Sequence, residues 1–219
     1  MTERIIKAAI HGRYVAIPPS APGPAPLLLG FHGYAEDAEA QLERLRAIPG
    51  SDRWLTVSIQ GLHRFYQRRT DRVVASWMTR QDRELAIADN LEYAASCIDA
   101  ISSEWPTLPA TVCAGFSQGA GMAFRAAANT DGRTASVITT GGDIPPELSR
   151  SALSGLAGVL IARGKSDAWY TEARFNGDRQ RLADAGVPVQ ALEFDGAHEW
   201  SGELVAAAAD FLRERAILA

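Results

Sequence analysis

Three residues far apart in the chain carry the side chains of an acyl-transfer relay: Ser117, Asp167 and His198. A serine hydroxyl is a poor nucleophile at neutral pH. It needs an imidazole to accept its proton, and the imidazole needs a carboxylate to fix its tautomer and stabilise its charged form. Ser117 is singled out by its neighbours. An apolar, β-prone run (Thr111, Val112, Cys113, Ala114) meets Gly115-Phe116-Ser117-Gln118-Gly119, and small and apolar residues that read as a helix follow. A sharp strand-to-helix turn of this kind, a nucleophile elbow, forces the serine into a sparsely populated backbone conformation and lifts its hydroxyl clear of the sheet. Side chains two positions to either side would collide with the strand and helix, so glycine suits 115 and 119. The unpaired N–H groups at the helix start lie near the serine, where a developing oxyanion can accept them.

A Gly-x-Ser-x-Gly pentapeptide alone is as often structural as catalytic, so the other two residues must be positioned by predicted elements. An apolar strand over 156–162 ends in Arg163-Gly164-Lys165-Ser166-Asp167. A strand over 188–194 ends in Asp195-Gly196-Ala197-His198. Both polar groups then fall at carboxyl ends of strands, the rim where ligands gather on open α/β sheets. Asp195 and Asp143 are rivals for the acid. Asp167 is preferred because Asp195 would have to reach its near neighbour in sequence. His11 and His63 read as surface residues and His32 as a structural loop residue.

The remaining elements are legible as an alternation. Residues 4–10 and 13–17 read as two short strands joined at His11-Gly12. The proline-rich piece 18–26 reads as a surface connection, since proline offers no N–H to a central sheet. Residues 27–31 form a continuously apolar strand, followed by a loop and a helix over 38–47, and 54–59 forms the next strand. Residues 62–78 read as a long aromatic and basic loop without a period. A helix over 81–104 has Thr79 and Asp82 in a capping-box arrangement and an apolar stripe of Leu85, Ala88, Leu91, Ala95, Ile98 and Ile101. Strand 135–140, the Gly/Pro/Ser-rich stretch 141–155 and helices over 171–185 and 204–215 complete the pattern. The whole predicts one α/β domain over residues 1–219, a mostly parallel central sheet with helices on both faces and no large lid.

Composition limits the function classes. With 219 residues, 47% hydrophobic and 22% charged, the chain has the make-up of a soluble globular protein, and a net charge of −4 gives no reason to expect nucleic acid. Cys97 and Cys113 lack metal-ligand or disulfide spacing and read as two buried thiols, suiting a reducing compartment. No apolar run approaches a membrane span, and the N-terminal residues lack the apolar core of a signal peptide, so a cytoplasmic location is expected.

Phe31-His32-Gly33, Gly115-Phe116-Ser117-Gln118-Gly119, Gly164-x-x-Asp167 and Gly196-Ala197-His198 resemble the phospholipase/carboxylesterase family of α/β-hydrolases, which includes bacterial carboxylesterases and acyl-protein thioesterases. Ser76-Trp77-Met78 resembles the Trp-containing loop beside that family's acyl site. The order Ser, Asp, His along the chain is that of α/β-hydrolases. Two departures stand out: Ala35-Glu36 replaces the family's Gly-Asp after the first motif, and Ala168-Trp169-Tyr170 replaces a Val-Pro pair after the acid.

The resemblance implies the α/β-hydrolase fold and a serine esterase acting on small-molecule esters or thioesters, with no metal or organic cofactor. Homodimerisation stays open. The oxyanion hole is assigned to the N–H groups of Gln118 and Tyr34, with Gly33 next in line. Trp77, Met78 and Trp169 are the expected substrate-binding residues, with Phe65, Tyr66, Tyr170 and Trp200 as further aromatics near the rim. Arg64, Arg68, Arg69 and Arg72 are weighed as an anion-selecting cluster against the plainer reading of a solvated loop. A peptidase on the same fold and a non-catalytic acyl-binding protein are the competing readings. Comparing an ester with its matching amide tests the first, and labelling by a serine-reactive fluorophosphonate tests the second.

Overall fold

The computed structural model describes residues 1–130 and 132–216. Its centre is a seven-stranded sheet built from β1 (Arg13–Ile17), β2 (Ala25–Phe31), β3 (Leu55–Gln60), β6 (Thr107–Phe116), β7 (Thr134–Thr140), β8 (Gly158–Gly164) and β9 (Val189–Phe194), in the spatial order β1-β3-β2-β6-β7-β8-β9. Only β1 runs antiparallel. The parallel strands need crossovers, and the intervening helices supply them.

Side-chain alternation assigns the two faces. Leu27, Leu29 and Phe31 of β2 pack with α2 (Arg83–Glu104), α3 (Gln118–Ala128) and α5 (Glu172–Asp184), whereas Leu28 packs with α1 (Ala38–Arg46) and α6 (Gly202–Ala216). Every residue of β2, β3 and β8 is buried, as strands covered on both faces must be. Among the described residues, no inserted domain covers the carboxyl rim. A separate two-stranded hairpin, β4 (His63–Gln67) and β5 (Arg72–Ser76), stands beside it.

Several expectations fail for identifiable reasons. Residues 4–10 form no strand. They run irregularly with Ile5, Ile6 and Ile10 exposed, tied to α2 by Lys7 and Glu92 and to β4 by the Arg64 guanidinium on the His11 carbonyl. The loop over 62–78 is instead the β4–β5 hairpin, whose buried side is confined to Val74, Ala75 and Ser76 on β5. Pro26 lies inside β2, at the pairing irregularity between Ala25 and Leu27, where the missing N–H is tolerated. A short helix, α4 (Arg150–Ser154), occupies part of 141–155.

Helix α2 is rotated relative to its predicted stripe. Ala86, Asn90, Ala94, Cys97 and Ile101 face inward, while Leu85, Ala88 and Ala95 face water. The cause is Asn90. It sits fully buried in the middle of the face because its Nδ2 donates to the carbonyl of Trp77 at 2.6 Å, so hydrophobicity alone misplaces the stripe. Nor is there a capping box. Asp82 adopts a left-handed conformation without a side-chain cap, and the Thr79 hydroxyl accepts the Gln81 N–H.

Candidate active site

The turn from β6 into α3 explains the residues around Ser117. Its φ of 53° and ψ of −118° lie in a region non-glycine residues rarely enter. A Cβ at Gly115 would approach the Gly119 carbonyl oxygen to 2.2 Å, and one at Gly119 would approach the Phe31 carbonyl oxygen to 2.1 Å. Strand β6, helix α3 and strand β2 are therefore packed backbone to backbone around the serine. The Ser117 N–H is held by the Thr140 carbonyl at 2.9 Å, which ties the turn to the end of β7.

The structure brings the three predicted groups together. His198, four residues beyond the end of β9, sets Nε2 at 2.8 Å from Ser117 Oγ, and its Nδ1 is 2.8 Å from Asp167 Oδ2. With the Nδ1–H donating a hydrogen bond to the carboxylate, Nε2 presents a lone pair to the serine hydroxyl. Asp167 follows β8 and its side chain is almost wholly buried. Burial pushes its carboxyl up, but the N–H groups of Tyr170 (3.0 Å) and Trp169 (2.7 Å) on Oδ1, together with His198, outweigh burial and hold it below the usual aspartate range. It stays an anion beside the imidazole. Asp195 is exposed and paired with Lys165 at 2.7 Å, and Asp143 pairs with Arg174, so neither rival touches His198.

The assigned oxyanion donors lie on the same cleft. Tyr34 and Gln118 line it with Ser117 and His198, and neither N–H has an acceptor among the described residues. Gly33 is excluded as a donor: its N–H is taken by Glu36 Oε2 at 2.8 Å. Glu36 is in turn clamped by both terminal nitrogens of Arg44, at 2.5 and 2.6 Å, and that guanidinium lies 4.4 Å over the Phe116 ring. The Glu that replaces the expected Asp thus fixes the loop carrying Tyr34. His32 is fully buried, with Nδ1 donating to the Gly33 carbonyl at 2.7 Å and Nε2 accepting the Gly61 N–H at 2.9 Å. Burial pushes its pKa down, so it is a neutral brace.

Trp77 and Met78 are corrections, because neither lines this cleft. Trp77 is fully buried, its indole N–H donates to the His32 carbonyl at 2.8 Å, and its ring lies against His32 and Phe31. Met78 is partly buried against the core. What the Ser-Trp-Met segment meets is the Gln118 side chain, whose Oε1 accepts the Trp77 N–H at 2.9 Å and whose Nε2 donates to the Met78 carbonyl at 2.8 Å. Gln118 therefore combines a backbone donor with a side chain that anchors the neighbouring hairpin. The hydrogen-bonding demand of a buried peptide segment is invisible in hydropathy, which is why an aromatic there reads as a pocket wall.

Trp169 does line the cleft and is 75% exposed. Phe65 stacks on Tyr34 at 5.7 Å, Tyr66 is exposed on the hairpin, Tyr170 is buried, and Trp200 packs partly against the α6 side of the core. None of the hairpin arginines lines the cleft. Arg64 serves the His11 carbonyl and Arg72 pairs with Asp37 at 2.7 Å. The arginine that does is Arg174, in the first turn of α5, which the sequence offered no means to single out.

A second residue on α5, Asp178, has no signal in the sequence either. Asp178 is buried, and its Oδ2 accepts the Tyr170 hydroxyl at 2.9 Å and the Ile144 N–H at 3.0 Å. It joins the loop of Asp167 to the loop bearing Asp143. Burial pushes its carboxyl up to about 6 against those hydrogen bonds.

The cleft encloses about 430 Å³, enough for a small ester and open to solvent on one side. A strained serine, an imidazole in line with a buried carboxylate, and two unengaged N–H groups together can transfer an acyl group.

No family model matches the sequence, and no curated protein matches it. Solved structures do superpose. Esterase PE8 matches with a TM-score of 0.74 and 20% identity over 94% of this chain and 100% of that one. The Bacillus cereus carboxylesterase matches at 0.70 and 17% over 93% and 94%, and the Zea mays acyl-protein thioesterase 2 at 0.69 and 16% over 94% and 99%. No described helix is long and apolar enough to cross a membrane. The chain has the α/β-hydrolase fold, with a mostly parallel sheet between two layers of helices.

Proposed function

We propose that this chain is a serine hydrolase of the phospholipase/carboxylesterase kind, working as a single domain on carboxylic ester or thioester bonds through an acyl-enzyme. The observation that carries the proposal is the unbroken line from Asp167 through His198 to Ser117, with both hydrogen bonds at 2.8 Å, in a serine held at a positive φ. The fold neighbours bear the names esterase, carboxylesterase and acyl-protein thioesterase, which agree with it. Two buried free cysteines fit a reducing, cytoplasmic setting.

Ser117 Oγ adds to the carbonyl carbon as its proton passes to His198 Nε2. The carbonyl oxygen becomes an oxyanion held by the N–H groups of Tyr34 and Gln118, each such donor lowering the barrier by about 3–4 kcal/mol. Collapse breaks the bond to the leaving alcohol or thiol, which takes the proton from His198. Water then gives a proton to the same nitrogen and attacks the acyl carbon, and release of the acid returns Ser117 to its hydroxyl. Asp167 keeps the ring oriented throughout and stabilises its charged form.

The test is labelling by a fluorophosphonate with the modified residue mapped, followed by turnover of matched ester, thioester and amide substrates. Ser117 should be the modified residue, and Ser117→Ala should lose both labelling and several orders of magnitude in turnover with its thermal unfolding unchanged. Labelling elsewhere, or hydrolysis retained by the alanine variant, would overturn the assignment.

A further inference from the structure

We infer that the cleft selects esters carrying an anionic group, a carboxylate on the acyl or leaving part, and that Arg174 is the residue that recognises it. The inference rests on the hydrolase reading and adds the substrate class to it.

Arginines that serve structure in this protein are engaged. Arg44 clamps Glu36 and lies on Phe116, Arg125 holds Glu147, and Arg181 caps the carbonyls of Ile144, Pro145 and Leu148. Arg174 differs. Among the described residues it makes no hydrogen bond, its side chain is 57% exposed, and it lines the same cleft as Ser117 and His198. Its one ionic neighbour is Asp143, 3.6 Å away and 54% exposed. That separation is too long for a hydrogen bond, and a pair so hydrated is worth about 0–1 kcal/mol. An incoming carboxylate can offer the guanidinium two parallel N–H···O bonds, which are shorter and stronger.

Asp143 and Arg174 are the acidic and basic side chains on the cleft wall apart from His198, so an approaching anion meets repulsion on one side and a fork of donors on the other. Trp169, exposed on that wall, gives the carbon skeleton an apolar surface beside the charge. Arg68 and Arg69, at the hairpin turn, lie outside the cleft and have no such geometry.

The experiment compares monomethyl glutarate with methyl pentanoate, five-carbon acyl groups differing in the terminal carboxylate, in the wild type, Arg174→Ala and Asp143→Asn. The quantity read is the ratio of kcat/KM for the anionic ester to that for the neutral one. It should fall at least about tenfold in Arg174→Ala, mainly through KM, as expected for a lost charge-assisted hydrogen-bonded pair. It should rise severalfold in Asp143→Asn, which frees the guanidinium. A ratio unchanged in Arg174→Ala, or lowered in both variants, overturns the inference. If Ser117 takes the fluorophosphonate while the ratio is indifferent to Arg174, the hydrolase reading stands and the substrate class falls. Binding of monomethyl glutarate to Ser117→Ala, followed by tryptophan fluorescence, gives a readout free of turnover. Affinity unaltered by adding Arg174→Ala would refute the inference there too.

Discussion

Replacing Trp77 by phenylalanine separates a brace from a substrate wall. The indole is fully buried, and its N–H is the partner of the His32 carbonyl at 2.8 Å. Phenylalanine keeps most of the apolar contact with Phe31 and His32 and removes the donor. A buried carbonyl left without a partner costs about 1–3 kcal/mol. The smaller ring leaves part of a cavity, about 1–2 kcal/mol, below the roughly 3–5 kcal/mol of a full aromatic-to-alanine truncation. The sum is about 2–5 kcal/mol, which with a urea slope of about 2–3 kcal/mol per M lowers the unfolding midpoint by roughly 1–2 M. Trp77 also steadies the segments carrying both proposed oxyanion donors, through its indole N–H on the His32 carbonyl, which the substitution removes, and its backbone N–H on the Gln118 side chain, which depends on the loop staying in place. Loosening them should lower kcat about tenfold or more, by a similar factor for acetyl, butyryl and octanoyl esters, because the oxyanion is common to all of them. Urea titration and an acyl-length series measure the two effects on one preparation. Wild-type stability with a KM change confined to long acyl chains would refute the reasoning and return Trp77 to the pocket.

Asp167→Asn should lower kcat by about three to four orders of magnitude, since an amide at that position favours the wrong imidazole tautomer, and circular dichroism should report an intact fold. Asp178 makes stability depend on pH. Its carboxyl is raised from 3.8 to about 6, so its contribution is fully present below pH 3.8 and is lost as pH rises through about 6, a change of about 3 kcal/mol that Asp178→Asn should abolish in chemical denaturation at pH 4 and pH 7. Ala35 occupies φ 59°, a conformation costing an alanine about 1–2 kcal/mol. Part of that is offset by the chain entropy glycine adds to the unfolded state, so Ala35→Gly should stabilise the fold by a net of up to about 1 kcal/mol and raise the thermal midpoint by up to about 2–4 °C; a lower midpoint would contradict it.

The alternation of strands and helices was readable because the strands buried on both faces are continuously apolar, as Leu27 to Phe31 and Val159 to Ala162 are. Reading failed where a segment's partner decides its state. Residues 4–10 have the apolar content of a strand yet lie exposed against α2, while the hairpin strands 63–67 and 72–76 hide their pairing behind a mixture of arginine and aromatics. The α2 stripe failed for the same reason at the level of one side chain. Asn90 is inside because the Trp77 carbonyl needs a donor, and that carbonyl is contributed by a different element.

The candidate site divides along the same line. The elbow is legible because its constraint is local: Gly115 and Gly119 lie two residues either side of the serine, and the atoms they must clear belong to the turn itself and to the strand beside it. Asp167 and His198 are legible because topology sends the ends of parallel strands to one rim, so a polar residue just past a strand already carries positional information. Arg174 and Asp178 carry none. Both sit on α5, four residues apart, where charged side chains are the ordinary dress of a surface helix, and one meets the cleft while the other is buried beneath Tyr170. What distinguishes them is the direction in which the helix lies across the loops after β7 and β8, a property of packing. Chemistry built on strand ends can therefore be read from sequence order, whereas recognition contributed by a covering helix cannot. The selectivity proposed for Arg174 accordingly rests on a residue that one-dimensional patterns leave indistinguishable from solvated charge.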